Sequence, residues 1–166
     1  MNDTLNLNSN RNPRLSWVNV RELVDEVRAS LSGQLTAQGI GTELDVPRTQ
    51  NLLADRTMLQ RALTNLSLNA LNAMPEGGTL VYTSYQGPYG LELEVADSGP
   101  GLDDQARKRA FEPFFTTKRG ASGLGLAIVQ RIAQVHGGDV VATNCPEGGA
   151  AFTLRIPLLF HGKAAA

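Results

Sequence analysis

Apolar residues recur at every third or fourth position in three parts of the chain, a spacing that predicts amphipathic helices. The first part begins at about residue 18 or 20 and ends near Gln38, before Gly39. The second begins at Asp55, a residue type suited to capping a helix N-terminus, and runs to about Met74. The third runs from residue 123 or 124 to about His136, before two glycines. The pattern therefore predicts three main helices.

Segments in which apolar and polar residues alternate predict strands. In one of them, Leu91, Leu93 and Val95 alternate with two glutamates, which predicts a strand with one buried face. The four residues before it, 87–90, predict a hairpin turn, and Asp103 or Asp104 can cap a short helix over residues 105–110. The predicted strands are residues 42–46, 51–54, 79–86, 91–97, 139–144 and 150–157.

The composition narrows the class of protein. A chain of 166 residues with 42% hydrophobic and 19% charged residues is typical of one globular domain, and neither disorder nor a fibre is indicated. A net charge of −1 with scattered lysines and arginines lacks the basic surface of a nucleic-acid or anionic-membrane binder. The lone Cys145, the absence of a signal peptide and the absence of a long apolar run favour a cytoplasmic setting, although a fragment of a membrane protein gives the same pattern.

Three regions follow from the order of these segments. Residues 1–17 are rich in asparagine, contain Pro13 and are predicted to be a linker or a disordered N-terminal end. Residues 18–158 contain all the predicted helices and strands and form the predicted domain. Residues 159–166 are predicted to be a loose C-terminal tail.

Two glycine-rich segments are candidates for a binding site. Residues 97–101, Asp-Ser-Gly-Pro-Gly, follow a predicted strand, a pattern that on its own is more typical of an ordinary Asx turn. Residues 122–126, Ser-Gly-Leu-Gly-Leu, open the third predicted helix, whose N-terminal amides and dipole suit a phosphate. Together the two segments predict one site for a small anionic ligand.

The second predicted helix has an unusual polar face. Arg61, Asn65, Asn69 and Asn72 fall at i, i+4, i+8 and i+11, on the side opposite the apolar residues. Asparagine costs about half a kcal/mol in a helix interior, so a solvated face would favour Glu, Lys or Gln. Amide oxygens are suitable Mg²⁺ ligands. A solvated face and a functional row of amides remain equally open on the pattern alone.

Aromatic, hydroxyl and basic residues crowd into residues 111–122, between the two glycine segments. This composition predicts a mobile lid anchored by Phe111 and Phe114. A packed connector is the alternative for the aromatic residues.

Four of these segments together resemble the N, first glycine, F and second glycine boxes of sensor histidine kinases, and they are residues 65–70, 97–101, 111–118 and 123–126. The resemblance covers about residues 18–158 and is to the catalytic and ATP-binding domain of the GHKL superfamily. It implies an α/β fold, a two-layer sandwich (Bergerat fold) with a mixed sheet packed on three helices. The amino-acid sequence of residues 111–118 and 72–78 is most similar to that of the nitrogen-regulation (NtrB-like) group, which includes flagellar regulators.

The resemblance implies a role for each matching residue in binding ATP and Mg²⁺. Asp97 would accept a hydrogen bond from the adenine amine, and Asn69 would bind Mg²⁺. Asn65 and the lid residue Lys118 would lie at the catalytic end, beside the phosphates. Asn72 stands where many of these kinases have a lysine or arginine, so one phosphate contact is expected to be lost. The remaining nucleotide-binding positions are Gly99 and Gly101 in the purine pocket, Thr117 in the lid, and Gly123, Leu124, Gly125 and Leu126 at the phosphates.

Two departures from the family pattern bear on mechanism. ATP-hydrolysing relatives have a glutamate where this chain has Asn65, and an amide cannot take a proton from water, so the γ-phosphoryl group should remain available to another acceptor. Alanines stand at 150 and 151, where a threonine is common, so a hydroxyl contact to adenine is not expected.

The chain also lacks a histidine in a phosphoacceptor motif. His136 is expected to interact with a helix end, and His161 lies in the tail. The resemblance therefore implies an isolated, monomeric catalytic domain that phosphorylates a histidine on a dimerisation hairpin outside this chain, and through it acts indirectly on a response regulator. No direct nucleic-acid or membrane contact is expected. The alternative is a nucleotide-binding interaction module without phosphotransfer, and Asn65 disfavours a third reading, an ATPase that drives conformational change.

Overall fold

The computed structural model describes residues 12–115 and 124–158, and within them the chain forms seven strands and five helices. The strands are β1 (Ser16–Asn19), β2 (Ile40–Asp45), β3 (Asn51–Ala54), β4 (Gly78–Gly87), β5 (Gly90–Asp97), β6 (Asp139–Asn144) and β7 (Ala150–Ile156). The helices are α1 (Val20–Ser30), α2 (Ser32–Gln38), α3 (Arg56–Ala73), α4 (Asp104–Arg109) and α5 (Gly125–Val135).

Five of the strands form one mixed sheet, in the order β2-β4-β5-β7-β6. The β2–β4 pair is parallel and the other pairs are antiparallel. The long helix α3 packs on β4 and β5 and along α5, α5 packs on β6 and β7, and α1 packs on α3. The three longest helices thus make a second layer on the sheet. This arrangement confirms the predicted two-layer α/β sandwich.

The central strand β5 shows why one face of the sheet carries the helices. Leu91, Leu93 and Val95 are buried, whereas Glu92 is exposed and Glu94 is half-buried on the other face. Side chains alternate across a strand, so a period of two in polarity places all the apolar groups on one side. The predicted strand with one buried face is confirmed.

The first predicted helix is interrupted at Leu31, so the prediction of one continuous helix to Gln38 was wrong. Leu31 has φ −102° and ψ 4°, outside helical geometry, and it separates α1 from α2. The residues around it favour a break: the Ser30 hydroxyl donates to the Val27 carbonyl at 2.8 Å, and Gly33 follows. Leu31 is nevertheless buried with Val27, so the apolar face continues across the break.

The ordered fold begins before residue 18, which had been predicted as its first residue. β1 starts at Ser16 and pairs antiparallel with β3 in a separate two-stranded sheet. Even Arg14, in the segment predicted as a linker, donates its backbone N–H to Asp55 Oδ2 at 2.8 Å. β1 is defined by its pairing with the distant strand β3, and the local sequence pattern does not show such a pairing. The predicted tail, 159–166, lies outside the described residues.

The predicted caps are confirmed at three helix ends. Asp55 accepts a hydrogen bond from the Met58 amide at 3.1 Å, and Asp103 accepts one from the Ala106 amide at 2.7 Å. Gly39 ends α2 in the left-handed region, at φ +72°, where glycine is favoured. None of the helices in the described ranges combines the length and apolar character that a membrane crossing needs.

Candidate functional site

Asp97, the last residue of β5, is held in a defined orientation through one of its two carboxylate oxygens. The residue is buried, and Oδ1 accepts hydrogen bonds from the backbone amides of Gly99 at 2.9 Å and Ala150 at 3.2 Å. Within residues 12–115 and 124–158, no donor bonds Oδ2. A carboxylate oxygen has two lone pairs, so Oδ2 can accept from a ligand without any rearrangement of the protein.

The loop after Asp97 passes so close to Ala73 and Asn144 that its two glycines have no room for a side chain. A Cβ on Gly99 would lie 2.6 Å from the Ala73 carbonyl oxygen, at the end of α3. Gly101 has φ +83°, and a Cβ there would lie 3.0 Å from Asn144 Oδ1. The predicted positions Gly99 and Gly101 therefore do lie together, in a loop between the end of α3 and the end of β6.

A third glycine, Gly149, packs closely against the start of the same loop. Gly149 has φ +93°, and a Cβ on it would lie 1.9 Å from the Asp97 carbonyl oxygen, which is an impossible contact. No role in the site was predicted for Ala150, yet its amide is one of the two that hold Asp97. A backbone donor leaves no trace in residue type, so no sequence signal could have identified it.

Met74 and Ser98 complete the base of the loop, and sequence reasoning assigned neither of them to the site. The thioether sulfur of buried Met74 lies 3.4 Å from both the Ser98 amide nitrogen and its hydroxyl oxygen. The same hydroxyl accepts a hydrogen bond from the Thr79 amide at 2.9 Å. These contacts connect the end of α3, the start of β4 and the loop after β5.

The asparagine face of α3 lies against the start of α5. Asn65 and Asn69 are half-buried, one helical turn apart, whereas Asn72 is exposed. The Asn65 side-chain amide donates to the Gly125 carbonyl at 3.3 Å. The structure therefore brings Asn65 and Gly125 together, as the resemblance implies, and leaves Asn72 at the edge.

The start of α5 offers backbone amides rather than side chains. Its N-cap residue, Leu124, is buried in the core, and Leu126 is half-buried against the same core. A Cβ on Gly125 would make only ordinary contact with Asn65, at 3.9 Å from its nearest atoms among the described residues. The fold itself therefore does not require glycine at 125. The first-turn amides and the helix dipole are suited to an anion.

His136 caps the other end of α5 and is fully buried. Its Nε2 accepts the Asp55 amide hydrogen at 3.0 Å, so Nδ1 carries the proton and donates to the Ile132 carbonyl at 2.8 Å. Burial of the ring is the dominant influence on the pKa of His136 and lowers it, while the Ile132 carbonyl and the Asp55 charge act in the opposite direction. The ring is thus a neutral link between α5 and the start of α3.

Only residues 111–115 of the predicted lid, 111–122, are among the described residues. Phe111 packs edge-on against Phe152, with ring centroids 6.1 Å apart and an interplanar angle of 82°. Phe114 is 68% exposed, with φ +68°, so the prediction that it anchors the segment was wrong. The candidate residues Thr117, Lys118 and Gly123 lie outside the described residues.

Two described side chains, those of Asn65 and Asn69, can serve a cation that is bound together with a ligand. No group of three or more His, Cys, Asp or Glu side chains within residues 12–115 and 124–158 could hold a metal ion. Asn69 and Asn65 can offer amide oxygens, and Mg²⁺ commonly takes one or two protein ligands together with substrate phosphates and water. The donor set therefore fits Mg²⁺ bound with a phosphorylated ligand.

Comparisons with known proteins identify relatives of this site and fold. The family model described as "Histidine kinase-, DNA gyrase B-, and HSP90-like ATPase" matches residues 54–159. The signal transduction histidine-protein kinase AtoS of Escherichia coli (strain K12) is 33% identical over 156 residues, which cover 92% of this chain and 26% of AtoS. The chain thus spans about a quarter of the length of this curated relative.

Solved structures match in fold as well as in sequence. The nucleotide-free catalytic domain of the histidine kinase ThkA is 31% identical, with a TM-score of 0.81, over 87% of this chain and 96% of that domain. ThkA has also been solved in complex with the response regulator TrrA. Full-length ShkA in complex with AMPPNP is 30% identical, with a TM-score of 0.81, over 95% of this chain and 35% of ShkA.

Proposed function

Since the chain belongs to the family of histidine kinase-, DNA gyrase B- and HSP90-like ATPases and has the catalytic fold of sensor histidine kinases, we propose that it binds ATP with Mg²⁺ and donates the γ-phosphoryl group to a histidine. The acceptor histidine lies on a helical dimerisation hairpin that is not part of this chain. The phosphoryl group then passes to a response regulator, so the chain serves two-component signal transduction.

The observation that carries this proposal is the orientation of Asp97. Two backbone amides hold Oδ1, so Oδ2 remains as an acceptor that suits the exocyclic amine of adenine. Guanine carries a carbonyl oxygen at the corresponding ring position, and two acceptors would repel each other. The glycines at 99 and 101 let the loop pack closely against Ala73 and Asn144, and this close packing gives the loop its shape beside the carboxylate.

The phosphates are assigned to the space between α3 and the start of α5. Asn69 would hold Mg²⁺ through its amide oxygen, and the ion would supply charge neutralisation between the phosphates when bound. The first-turn amides of α5 would bind phosphate oxygens, with the nearby Asn65. The candidates Thr117, Lys118 and Gly123 are proposed as further phosphate contacts from the lid side.

An amide at position 65 supports transfer rather than hydrolysis. A general base must accept a proton from the attacking water, and the asparagine amide cannot do so near neutral pH. The Asn65 side chain is also engaged with the Gly125 carbonyl. Bound ATP is therefore expected to persist until an acceptor histidine is presented.

The proposed partner of this chain is a hairpin that carries the acceptor histidine. Both of its histidines are unsuited to be the acceptor, since His136 is fully buried and makes two hydrogen bonds and His161 lies in no acceptor motif. A hairpin supplied by a longer protein or in trans must therefore carry the acceptor. We propose that the chain by itself is a monomer, which solution scattering would test.

A conservative substitution tests the adenine assignment. Asp97→Asn keeps the size and can keep the Oδ1 acceptor, but it places an NH₂ group opposite the adenine amine. Loss of one charge-assisted hydrogen bond and a new donor clash should weaken binding of AMPPNP by about 10- to 100-fold in calorimetry with Mg²⁺. Asp139→Asn, which breaks only an exposed ion pair with Arg155 at a strand edge, is the matched control.

Transfer needs a second measurement. With a histidine-bearing hairpin added in trans, radiolabelled ATP should label the hairpin for the wild-type chain, and Asn69→Ala should reduce the label. Tight binding of AMPPNP without any labelling would contradict the kinase proposal and support a nucleotide-binding interaction module. A folded wild-type chain that does not bind AMPPNP would contradict both.

A further inference from the structure

Asn144, the last residue of β6, makes an unusual pair of contacts with the loop after β5. Its Oδ1 accepts the Leu102 amide hydrogen at 2.7 Å, and its Nδ2 donates to the Leu102 carbonyl at 2.8 Å. Both bonds join one side-chain amide to the backbone of one residue, across 42 positions of sequence. The side chain thus extends the hydrogen bonding of an edge strand onto residues 98–102, which we name the purine loop.

The purine loop is held at its two ends by different groups. At its start, Gly99 donates to Asp97, and Ser98 contacts Met74. Pro100 has no N–H to donate, and Gly101 follows at φ +83°, so the middle of the loop lacks a regular backbone ladder. Within the described residues, Asn144 is the one side chain that hydrogen bonds to residues 100–102.

The same amide also limits where Gly101 can move. Asn144 Oδ1 lies 3.0 Å from the position that a Cβ on Gly101 would occupy, so this oxygen is in close contact with the loop. At Gly99, the corresponding position lies 2.6 Å from the Ala73 carbonyl oxygen. The loop therefore contacts both the end of α3 and Asn144, and removal of the Asn144 side chain takes away one of these two contacts.

From these contacts we infer that Asn144 is a positioning residue for nucleotide binding, one that keeps the purine loop in its binding shape. The inference rests on the proposed function, because it takes the ligand of this loop to be a purine nucleotide. Asn144 itself is exposed, and its hydrogen bonds to the loop go to the backbone of Leu102, so it acts through the loop backbone. Its loss should affect the purine end of any adenine nucleotide equally.

The test compares three variants of the same chain. Asn144→Ala removes both bonds, and Asn144→Asp keeps the Oδ1 acceptor but places a second acceptor against the Leu102 carbonyl. Asn51→Ala is the matched control, because Asn51 is also an exposed strand-end asparagine that bonds a backbone carbonyl, in the separate two-stranded sheet. The dissociation constants for ATP and ADP, the melting temperature and the exchange rate of the Leu102 amide hydrogen are measured for each.

Asn144→Ala should weaken ATP and ADP binding by the same factor, about three- to tenfold, since two exposed hydrogen bonds are lost. Asn144→Asp should weaken both at least as much, because it adds a repulsion. The Leu102 amide should exchange faster in both variants in the absence of nucleotide. The melting temperature should change little, since the side chain lies outside the core, and Asn51→Ala should bind like wild type.

Each failure has a distinct signature. An Asn144→Ala chain that binds both nucleotides as tightly as wild type overturns the inference and leaves the proposed function standing. Weaker binding with unchanged exchange of the Leu102 amide also overturns it, because the effect would not pass through the loop. A wild-type chain that binds neither nucleotide contradicts the proposed function, and the role of Asn144 in nucleotide binding falls with it.

Discussion

At the scale of single residues, two kinds of glycine serve this site for different physical reasons. Gly99 is required by the fold, since its missing Cβ would meet the Ala73 carbonyl at 2.6 Å. Gly125 has ordinary room around it within the described residues, with Asn65 atoms at 3.9 Å. A ligand phosphate is the group that would make a side chain at 125 unfavourable, because it must approach the helix amides closely.

This contrast predicts opposite outcomes for two alanine substitutions. Gly125→Ala should leave the free energy of unfolding unchanged or raise it by up to about 1 kcal/mol, because alanine is the better helix former. The same variant should weaken ATP binding by about tenfold or more, since it crowds the phosphate amides. Gly99→Ala should lower the free energy of unfolding by about 1–3 kcal/mol through strain. Urea unfolding and calorimetry measure the two quantities.

The contrast fails if Gly125→Ala binds ATP as tightly as wild type, since the phosphate would then lie elsewhere. It also fails if Gly99→Ala unfolds at the wild-type urea concentration. Gly33→Ala provides the reference for the helix effect alone, because that glycine lies in α2, and an added Cβ would meet no atom from another part of the described structure within 4 Å.

At the scale of elements, the start of α3 is the point where several parts of the fold are joined. Asp55 is 3% exposed, and its two carboxylate oxygens accept the Met58 and Arg14 amides, while its own amide binds His136. The residue therefore connects the chain before β1, the helix that carries the asparagine face, and the end of α5. This junction joins the start of α3 to the end of α5, and the Asn65–Gly125 contact joins the middle of α3 to the start of α5.

Removing the carboxylate at this junction should cost more than removing an ordinary helix cap. Asp55→Ala loses the α3 cap and leaves the Arg14 amide without its acceptor, so the free energy of unfolding should fall by about 1.5–4 kcal/mol. Asp103→Ala, at the exposed six-residue helix α4, should cost about 0.5–1 kcal/mol. Urea denaturation compares the two, and equal losses would contradict the role of Asp55 as a junction.

At the scale of the whole molecule, His136 couples proton binding to folding. The folded state lowers the pKa of His136 below its usual value near 6.5, chiefly through burial of the ring. Below about pH 6.5 the unfolded chain therefore binds a proton that the folded chain excludes. Protonation would also place a second N–H at Nε2, against the Asp55 amide that now donates to it. Folding and a neutral His136 accordingly stabilise each other.

The sign of this linkage predicts a loss of stability on the acid side. This contribution should be fully present above about pH 6.5 and should decline, by at most about 1.4 kcal/mol per pH unit, as the pH falls toward the lowered pKa. His136→Gln keeps an amide acceptor and donor without a titrating group, so its free energy of unfolding should fall less steeply between about pH 6.5 and 5. Urea denaturation at several pH values gives both slopes, and equal slopes would contradict the prediction, whatever the absolute stability of the variant.

Most of the fold could be predicted because its helices and strands are long or have clear sequence signals at their ends. Helix α3 has a cap at Asp55 and a continuous apolar face, and β5 alternates over a full strand, so local physics defines both. The break at Leu31 was not predicted because the apolar spacing continues across it. Strand β1 was not predicted because it is defined by pairing with the distant strand β3, which local spacing does not show. The family resemblance added the sandwich architecture, which the local pattern does not specify.

By itself the sequence determined which residue types could do the chemistry: a carboxylate and glycines at the end of one strand, amides along one helix face, and glycines at the start of another helix. Only the tertiary structure decided which groups support them. Ala150 holds Asp97 through a backbone amide, Met74 contacts Ser98 through a thioether, and Asn144 pairs with Leu102 from 42 residues away. Such contacts depend on packing between segments that are far apart in the sequence. Residue type and local spacing do not show which distant segments will pack together.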